Sequence, residues 1–256
     1  MPINRFVWLA LIACCAFHSS ATASPLLSNG GFETNGGAGT TVLNNWTVVS
    51  QNGSGGSWFA QTAGLSPLNG FPVLTPPEGS FAAMTDSGSP GANALLQSFT
   101  VSSAGTAVLS FDYAIVNLGP DFITPDTLDY TAGPNEQVRV DILTANAGAF
   151  DLGTSVLLNV FQPQSGDTAD MNDQAYQQVS LDISSVVGSG GTYQLRFAEV
   201  DTQGPLLFGV DDASISFTAD QTPPPPSGDV PEPGSLLLLA TGLPLLSALR
   251  KRLPQR

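Results

Sequence analysis

The sequence predicts an all-β protein, an antiparallel β-sandwich, and two features of the chain support this fold class. Its apolar segments are short, rich in β-branched and aromatic residues, and separated by glycine, asparagine and proline, as is typical of strands and turns. Several segments alternate between apolar and polar residues. In the stretch EQVRVDIL, Val138, Val140 and Ile142 oppose Arg139 and Asp141. Alternation with one apolar face indicates antiparallel sheets that bury one side.

Ten strands are predicted from this patterning. They lie near residues 45–50, 57–61, 80–85, 93–101, 106–117, 136–145, 155–161, 175–183, 192–200 and 207–217. No strong helical pattern appears, apart from a turn expected around residues 183–187. Many short strands between turns favour a jelly-roll sandwich, with a domain over residues 25–219. The connections at 118–135 and 162–174 are long enough to indicate functional or mobile loops.

The N-terminus has the features of a secretory signal peptide. Arg5 precedes an apolar stretch at residues 6–17, and Ala21-Thr22-Ala23 forms an A-x-A cleavage site before Ser24. Charge, apolar core and cleavage site occur in the order that export signals require. We therefore expect residues 1–23 to direct export through the Sec translocon and to be removed.

Removal of the signal peptide restricts the chemistry of the mature protein. Cys14, Cys15 and His18 are the only cysteines and the only histidine of the chain. A mature protein that starts near Ser24 therefore has no Ser-His-Asp or Cys-His catalytic centre, no Cys or His zinc site and no disulfide. We expect any activity to depend on carboxylates, amides, hydroxyls, aromatic rings and the backbone.

The mature body is strongly acidic. Between residues 24 and 229 the only basic residues are Arg139 and Arg196, against 20 acidic ones, a formal charge of −18. Such a charge repels nucleic acid and anionic membranes, favours solubility and attracts cations such as Ca²⁺. No nucleic-acid partner is expected.

The C-terminus has a proline-rich linker at 220–229, followed at 230–256 by a short motif, an apolar run and a basic end. The motif is Val230-Pro231-Glu232-Pro233, and an apolar run at 235–249 separates it from a basic end made of Arg250, Lys251 and Arg252. As a helix, the 15-residue run rises roughly 22 Å, against about 30 Å for a bilayer core. It is therefore short for a membrane anchor.

This C-terminal segment resembles the PEP-CTERM sorting signal of Gram-negative bacteria. The resemblance implies an exosortase as processing partner, transient residence in the inner membrane, and delivery to the cell surface or extracellular matrix. Families with this tail are associated with exopolysaccharide and biofilm. The alternative is an ordinary C-terminal anchor that contains a fortuitous Pro-Glu-Pro.

The two ends of the predicted domain resemble those of galactose-binding-like jelly rolls, a group that includes many carbohydrate-binding modules. The stretch NGGFE at 29–33 and the stretch VDD at 210–212 match the paired terminal motifs. The resemblance implies a structural Ca²⁺ between the termini. Its side-chain ligands would be Glu33 and Asp211, with Asp212 and Asn29 as further candidates. The alternative is that these side chains only form hydrogen bonds at strand ends.

Sugar binding requires exposed aromatic rings, and Trp58 and Tyr130 are the candidates that the sequence offers in loop-like surroundings. Trp46 is instead expected in the core. The body is expected to be non-enzymatic, with a structural, adhesive or exopolysaccharide-binding role. The alternative is a secreted glycoside hydrolase, which needs only two carboxylates, although nothing in the sequence marks a pair.

Overall fold

A computed structural model of the protein describes residues 24–168 and 175–220. The predicted signal peptide, the linker beyond its first residue and the C-terminal sorting segment lie outside the described residues, as do Asp170 and Asp173 of the second long loop. The boundaries proposed for these segments therefore stay predictions.

The described part of the chain is almost entirely β-structure, and it contains a strand at each of the ten predicted places. The strands are β1 Ser24–Pro25, β2 Thr47–Ser50, β3 Gly56–Gln61, β4 Gly64–Leu65, β5 Pro72–Val73, β6 Ala82–Ser87, β7 Gly91–Val101, β8 Gly105–Asn117, β9 Gln137–Thr144, β10 Val156–Phe161, β11 Gln177–Asp182, β12 Gly191–Asp201 and β13 Leu206–Ala219. The expected turn is a short helix, α1 Ser184–Val187, and two 3₁₀ turns occupy Tyr130–Ala132 and Gly153–Ser155. The structure adds the two-residue strands β1, β4 and β5.

Two main sheets form the sandwich, and all pairings among the described strands are antiparallel. The first sheet has the order β11-β8-β13-β6-β3, with β1 added to β13; the second has the order β10-β9-β12-β7-β2. Strands β4 and β5 form a separate two-stranded ribbon. This architecture confirms the predicted fold class.

Aromatic side chains from both sheets meet in the core. Phe197 of β12 lies 5.4 Å from Phe111 of β8 and 5.9 Å from Trp46, measured between ring centroids. Leu195 on the same face of β12 is also fully buried, because alternate residues of a strand point to the same side. Burial of such side chains contributes roughly 1.5–3 kcal/mol each, so this layer is a main source of stability.

The second sheet is buried on both faces near Asp141, which corrects the expectation of a single buried side. Asp141 and Arg196 are fully buried on the outer face, and Arg139 is 7% exposed. The segment that follows β9 covers them, and Nη1 of Arg196 donates to the carbonyls of Ala149 and Asp151 at 3.0 and 2.8 Å. The alternation correctly predicted that Arg139 and Asp141 share the polar face of β9. It could not predict that the segment after β9 covers this face.

Candidate functional site

The N-terminal turn is held by Asn29 and Trp46. The indole nitrogen of Trp46 donates to the carbonyl of Asn29 at 2.9 Å, and Trp46 is buried, as the sequence predicts. Asn29 itself has φ = 54°, a left-handed conformation that asparagine tolerates better than most residues. Its amide donates to the carbonyls of Thr34 and Asn44, and its Oδ1 accepts from the Thr34 nitrogen. These bonds give Asn29 a structural role in the turn, and its role as a calcium ligand stays a prediction.

Glu33 and Asp211 hold the same loop from opposite ends of the domain. Oε1 of Glu33 accepts from the backbone nitrogens of Ser80 and Phe81 at 2.7 and 2.8 Å. Oδ2 of Asp211 accepts from the nitrogen of Glu78 at 3.2 Å. The loop between β5 and β6 is therefore anchored by carboxylates from both terminal motifs. Strand-end hydrogen bonding, the alternative to a metal, accounts for these contacts.

Asp211 lies at an irregularity of β13. Its pairing with β8 shifts register between Asp211 and Ser214, and Asp212 has φ = 46°. Oδ1 of Asp211 accepts from the Asp212 nitrogen at 2.8 Å, while the Asp212 side chain is exposed. Burial, and to a lesser extent the charges of Glu78 and Asp212, raise the pKa of Asp211 to about 7.

Glu78 is a carboxylate of this region that the sequence analysis missed. A Cβ atom built on Gly31 would lie 2.3 Å from Oε2 of Glu78 and 3.9 Å from Oδ1 of Asp211, so both carboxylates face the backbone of the first motif. Glu78 stands in the stretch PPEGS, which indicates a turn. Nothing in the sequence links that turn to a strand 133 residues later.

The carboxylate oxygens around the N-terminal turn are suitable ligands for Ca²⁺, which prefers oxygen ligands of this kind. Within the described ranges, however, no three acidic side chains converge as a ready-made metal centre. The oxygens of Glu33 and Asp211 named above already accept backbone hydrogen bonds. Calcium binding at this position therefore stays a prediction.

The structure contradicts Trp58 as a sugar-binding platform. Its side chain is fully buried in β3, and its ring centroid lies 5.5 Å from that of Phe208 in an edge-to-face arrangement. Glycine and serine around Trp58 suggested loop-like surroundings and an exposed ring, but Trp58 lies in the predicted strand, and the inner face of that strand carries the indole. A ring without an exposed face cannot stack on a pyranose.

Tyr130 is half-buried on the outer side of the second sheet. Its hydroxyl donates to the carbonyl of Asn52 at 3.1 Å, and its backbone nitrogen donates to Oε1 of Gln51 at 3.3 Å. The ring packs against a small apolar cluster that includes Leu128. That Tyr130 contacts carbohydrate stays a prediction.

A cavity of about 530 Å³ opens where edge strands of the two sheets meet. Two half-buried aromatic rings line it: Tyr113 of β8 and Phe161 of β10 have centroids 4.4 Å apart and planes inclined by 43°. The Tyr113 hydroxyl donates to Oε1 of Gln177 at 3.1 Å. Neither ring was predicted from the sequence, since the two residues are 48 positions apart and only the closure of the sandwich brings them together.

Polar groups complete the cavity. Amide side chains come from Gln162, Gln164 and Gln177, and a carboxylate comes from Asp167. Gln162 donates to Oε1 of Gln137 at 2.8 Å, and Oδ2 of Asp167 accepts from the Gln164 nitrogen at 2.7 Å. The wall of the cavity thus combines two aromatic side chains with several donors and acceptors, the pattern of a site for a polar ligand that has apolar faces.

Residues 229–252 match the family model described as the PEP-CTERM protein-sorting motif, which confirms the prediction made from the tail. The motif indicates an exported precursor that transits the membrane, and it implies processing by an exosortase. Within residues 24–168 and 175–220, no helix has the length and apolar character to span a membrane. Comparison with curated proteins finds no match to this chain.

Several solved structures are similar to this chain at low sequence identity. TmCBM61 in complex with β-1,4-galactotriose is 12% identical with a TM-score of 0.42, over 75% of this chain and 97% of that one. A Stig cyclase from Fischerella sp. TAU is 14% identical with a TM-score of 0.45, over 78% and 100% of the two chains. The K2 cleaved adhesin domain of Lys-gingipain is 18% identical with a TM-score of 0.44, again over 78% and 100%. What those proteins bind or catalyse belongs to them.

Proposed function

We propose that this protein is an exported component of the cell surface or extracellular matrix, sorted by an exosortase, whose β-sandwich binds polysaccharide without cleaving it. The observation that carries the binding role is the cavity at the sandwich edge. The sorting motif supports the location, and an exopolysaccharide of the producing cell is the ligand class that such a location makes available. A role in biofilm or envelope structure would follow from that binding.

The cavity suits a sugar because of the chemistry of its wall. A pyranose presents C–H faces that pack on aromatic rings and a rim of hydroxyls that hydrogen-bond in both directions. Tyr113 and Phe161 supply the rings, and glutamine amides both donate and accept. Aromatic side chains with a polar end are favoured where one part of the ligand is apolar and another part is hydrated.

Affinity electrophoresis of the full chain against polysaccharide from the producing strain and against defined glycans tests this proposal. Phe161→Ala and Gln164→Ala should each weaken binding about tenfold or more, which corresponds to ~1.4 kcal/mol. Leu65→Ala, at an apolar side chain that is 64% exposed in the separate ribbon, is the matched control and should bind as the wild type does. Because Gln164 is exposed, its variant should fold even if the Phe161 variant does not.

Two outcomes would overturn this assignment of the binding site. If Tyr130→Ala abolishes binding while the cavity variants do not, the ligand contacts the outer side of the second sheet. If the wild type binds no polysaccharide, the body has a purely structural role. Release of reducing ends from the same material would instead support the alternative hydrolase, which needs a second carboxylate beside Asp167.

We also propose that Ca²⁺ binds at the N-terminal turn through Glu33 and Asp211, with Asp212, Asn29 and Glu78 as further oxygen donors. The concentration of carboxylates around Gly31 supports this assignment. If it is correct, EDTA should lower the melting temperature, and Glu33→Ala should remove most of that sensitivity. A melting temperature that EDTA leaves unchanged in the wild type would contradict it.

A further inference from the structure

A second group of polar side chains is enclosed between the two sheets, at the end of the core where β12 leads into β13. Its members are each at most 4% exposed: Ser87, Asn93, Asn117, Glu136, Glu199 and Asp201. We refer to these six residues as the inter-sheet polar cluster. They share no residue with the N-terminal turn or with the edge cavity.

The inter-sheet polar cluster contains negative groups without a protein cation beside them. Arg139 and Arg196 are the only basic residues between positions 24 and 229, and both bind Asp141 instead. Ionised carboxylates in a dry interior are unfavourable unless a proton, a hydrogen-bond donor or a counter-ion compensates them. The cluster therefore requires a compensating group.

Two oxygens of the cluster have no hydrogen-bond partner among the described residues. Oε2 of Glu136 accepts from the backbone nitrogens of Thr202 and Gln203 at 2.9 and 2.8 Å, but its Oε1 is buried and unpartnered. Oε2 of Glu199 accepts from Asn93 at 3.0 Å, and its Oε1 is likewise unpartnered. A buried polar atom left without a partner costs about 1–3 kcal/mol, which points to a ligand that the protein atoms do not supply.

The free oxygen of Glu136 faces a small cradle beside Gly119. A Cβ atom built on Gly119 would lie 2.9 Å from Oδ1 of Asn117, 3.3 Å from Oε1 of Glu136 and 3.5 Å from the carbonyl oxygen of Gln203. Three oxygens of different chemical kinds thus lie close together beside Gly119, and Oδ1 of Asn117 also accepts from the backbone nitrogen of Gly119 at 2.7 Å. Gly119 is half-buried and Gln203 is exposed, so these oxygens lie close to solvent.

We propose that this cradle binds a hard divalent cation such as Ca²⁺, ligated by Oε1 of Glu136, Oδ1 of Asn117 and the carbonyl oxygen of Gln203. Mixed carboxylate, amide and carbonyl oxygens are the ligands of protein calcium sites, which water completes. Asp201, whose pKa is raised to about 6, lies outside the ligand set and adds negative potential at pH 7.5. One carboxylate ligand among neutral oxygens is compatible with the lack of a three-carboxylate centre in the described chain.

The competing way to neutralise the cluster is protonation. Burial is the main reason that the pKa of Glu136 is raised to about 7 and that of Asp201 to about 6. Without a cation, a proton on Glu136 would compensate the site in acid and would be lost above neutral pH. The two explanations predict different results at pH 7.5: only a cation site would bind Ca²⁺ and raise the melting temperature.

Calcium binding by the full chain distinguishes them. The chain is stripped with EDTA and titrated with CaCl₂ at pH 7.5 by isothermal calorimetry, and its melting temperature is measured in EDTA and in Ca²⁺. Glu136→Gln keeps an acceptor for Thr202 and Gln203 but removes the charge, and Gly119→Ala fills the cradle with a methyl group. Each variant should bind one Ca²⁺ fewer per chain than the wild type and lose the associated rise in melting temperature.

Two controls separate this site from its surroundings. Asp220→Asn removes one exposed carboxylate outside the inter-sheet polar cluster and should retain every bound Ca²⁺. Glu33→Gln alters only the N-terminal turn and should retain the equivalent that Glu136→Gln loses. The proposal is overturned if both cradle variants bind as many Ca²⁺ as the wild type, or if the wild type binds none at pH 7.5. Should Glu136→Gln fail to fold, Gly119→Ala decides the question.

Discussion

Asp141 is the single residue on which both arginines of the exported body depend. Arg139 donates to it through Nε and Nη2 at 2.8 and 2.7 Å, and Arg196 through Nη2 and Nε at 2.6 and 3.2 Å. Asn159 adds a bond at 2.9 Å. Buried ion pairs contribute little net stability when compared with apolar residues, but removal of one partner leaves an uncompensated charge. Asp141→Asn should therefore destabilise the protein by about 3–5 kcal/mol at neutral pH.

The cost of Asp141→Asn should depend on pH. Burial alone would raise the pKa of Asp141, but the Arg139 hydrogen bond and the charges of Arg196 and Arg139 outweigh it and hold the pKa below its usual value. A depressed pKa stabilises the folded state above the unfolded pKa, near 3.9, and this contribution is lost as the pH falls through the folded value. Urea unfolding should show the full cost at pH 7 and a smaller one near pH 3. Asp126→Asn, at an exposed site, is the control; an equal cost at both pH values would contradict this account.

Glu199 should have the opposite pH dependence. Complete burial, followed by the charge of Asp201, raises the pKa of Glu199 well above its usual value. The folded state then retains a proton that the unfolded chain releases near pH 4.5, so stability declines as the pH rises above that point. Glu199→Gln removes this titration. Between pH 5 and pH 8 in EDTA, the wild type should lose free energy of unfolding relative to the variant, whereas parallel profiles would show that Glu199 is ionised in the folded protein.

At the scale of elements, the sequence was sufficient to locate the longer strands, because strands and turns have local sequence patterns. Period-2 alternation and turn residues located ten strands, and the inward residues of β9 and β12 lie where alternation put them. The two-residue strands β1, β4 and β5 are too short to show the alternation of apolar and polar residues. Trp58 lies in the strand predicted at 57–61, but its small neighbours suggested loop-like surroundings and an exposed ring, whereas the ring is buried in β3. Local composition does not report which face of a strand the sandwich covers.

The candidate sites were harder to predict because they join distant elements. The motif at 29–33 and Asp211 were identified by resemblance, but Glu78 enters from a proline-flanked turn. Likewise, Tyr113 and Phe161 approach each other only when the sandwich brings β10, an edge strand of the second sheet, close to β8, the strand next to the edge of the first. Pairings of this kind depend on tertiary packing, for which a single sequence carries no periodic signal.

The loop between β5 and β6 should be released when Glu33 is changed. Oε1 of Glu33 accepts from the nitrogens of both Ser80 and Phe81, and these bonds join the loop to the first motif. In Glu33→Ala the two amides should exchange hydrogen with solvent faster, while amides of the central strand β12 keep their protection. Hydrogen exchange followed by mass spectrometry of the peptide that contains residues 78–81 measures this. Unchanged exchange there would mean that Asp211, through Glu78, holds the loop by itself.

At the scale of the whole molecule, charge separates the exported body from its tail. Both arginines of the body are engaged with Asp141, while four of the seven basic residues of the chain follow position 249. Cationic residues after an apolar segment favour retention of that end on the cytoplasmic side. Under the proposed sorting the body would lie outside the membrane, and removal of the tail would leave it with a formal charge of −18 over residues 24–229. The more negative charge would increase both solubility and attraction for cations.

Processing of the tail should therefore be visible as a change of mass and of location. In a strain with an exosortase, the mature protein should lack residues beyond about Pro233, and intact-mass spectrometry should find no peptide from 235–256 in the released form. Deletion of the exosortase should leave the full tail attached and the protein in the membrane fraction. Glu232→Ala should have the same effect because it alters the sorting motif, whereas Pro224→Ala, in the preceding linker, should be processed normally. Released protein that still carries Arg250, Lys251 and Arg252 would show that the apolar run and its basic end act as an ordinary, weak anchor.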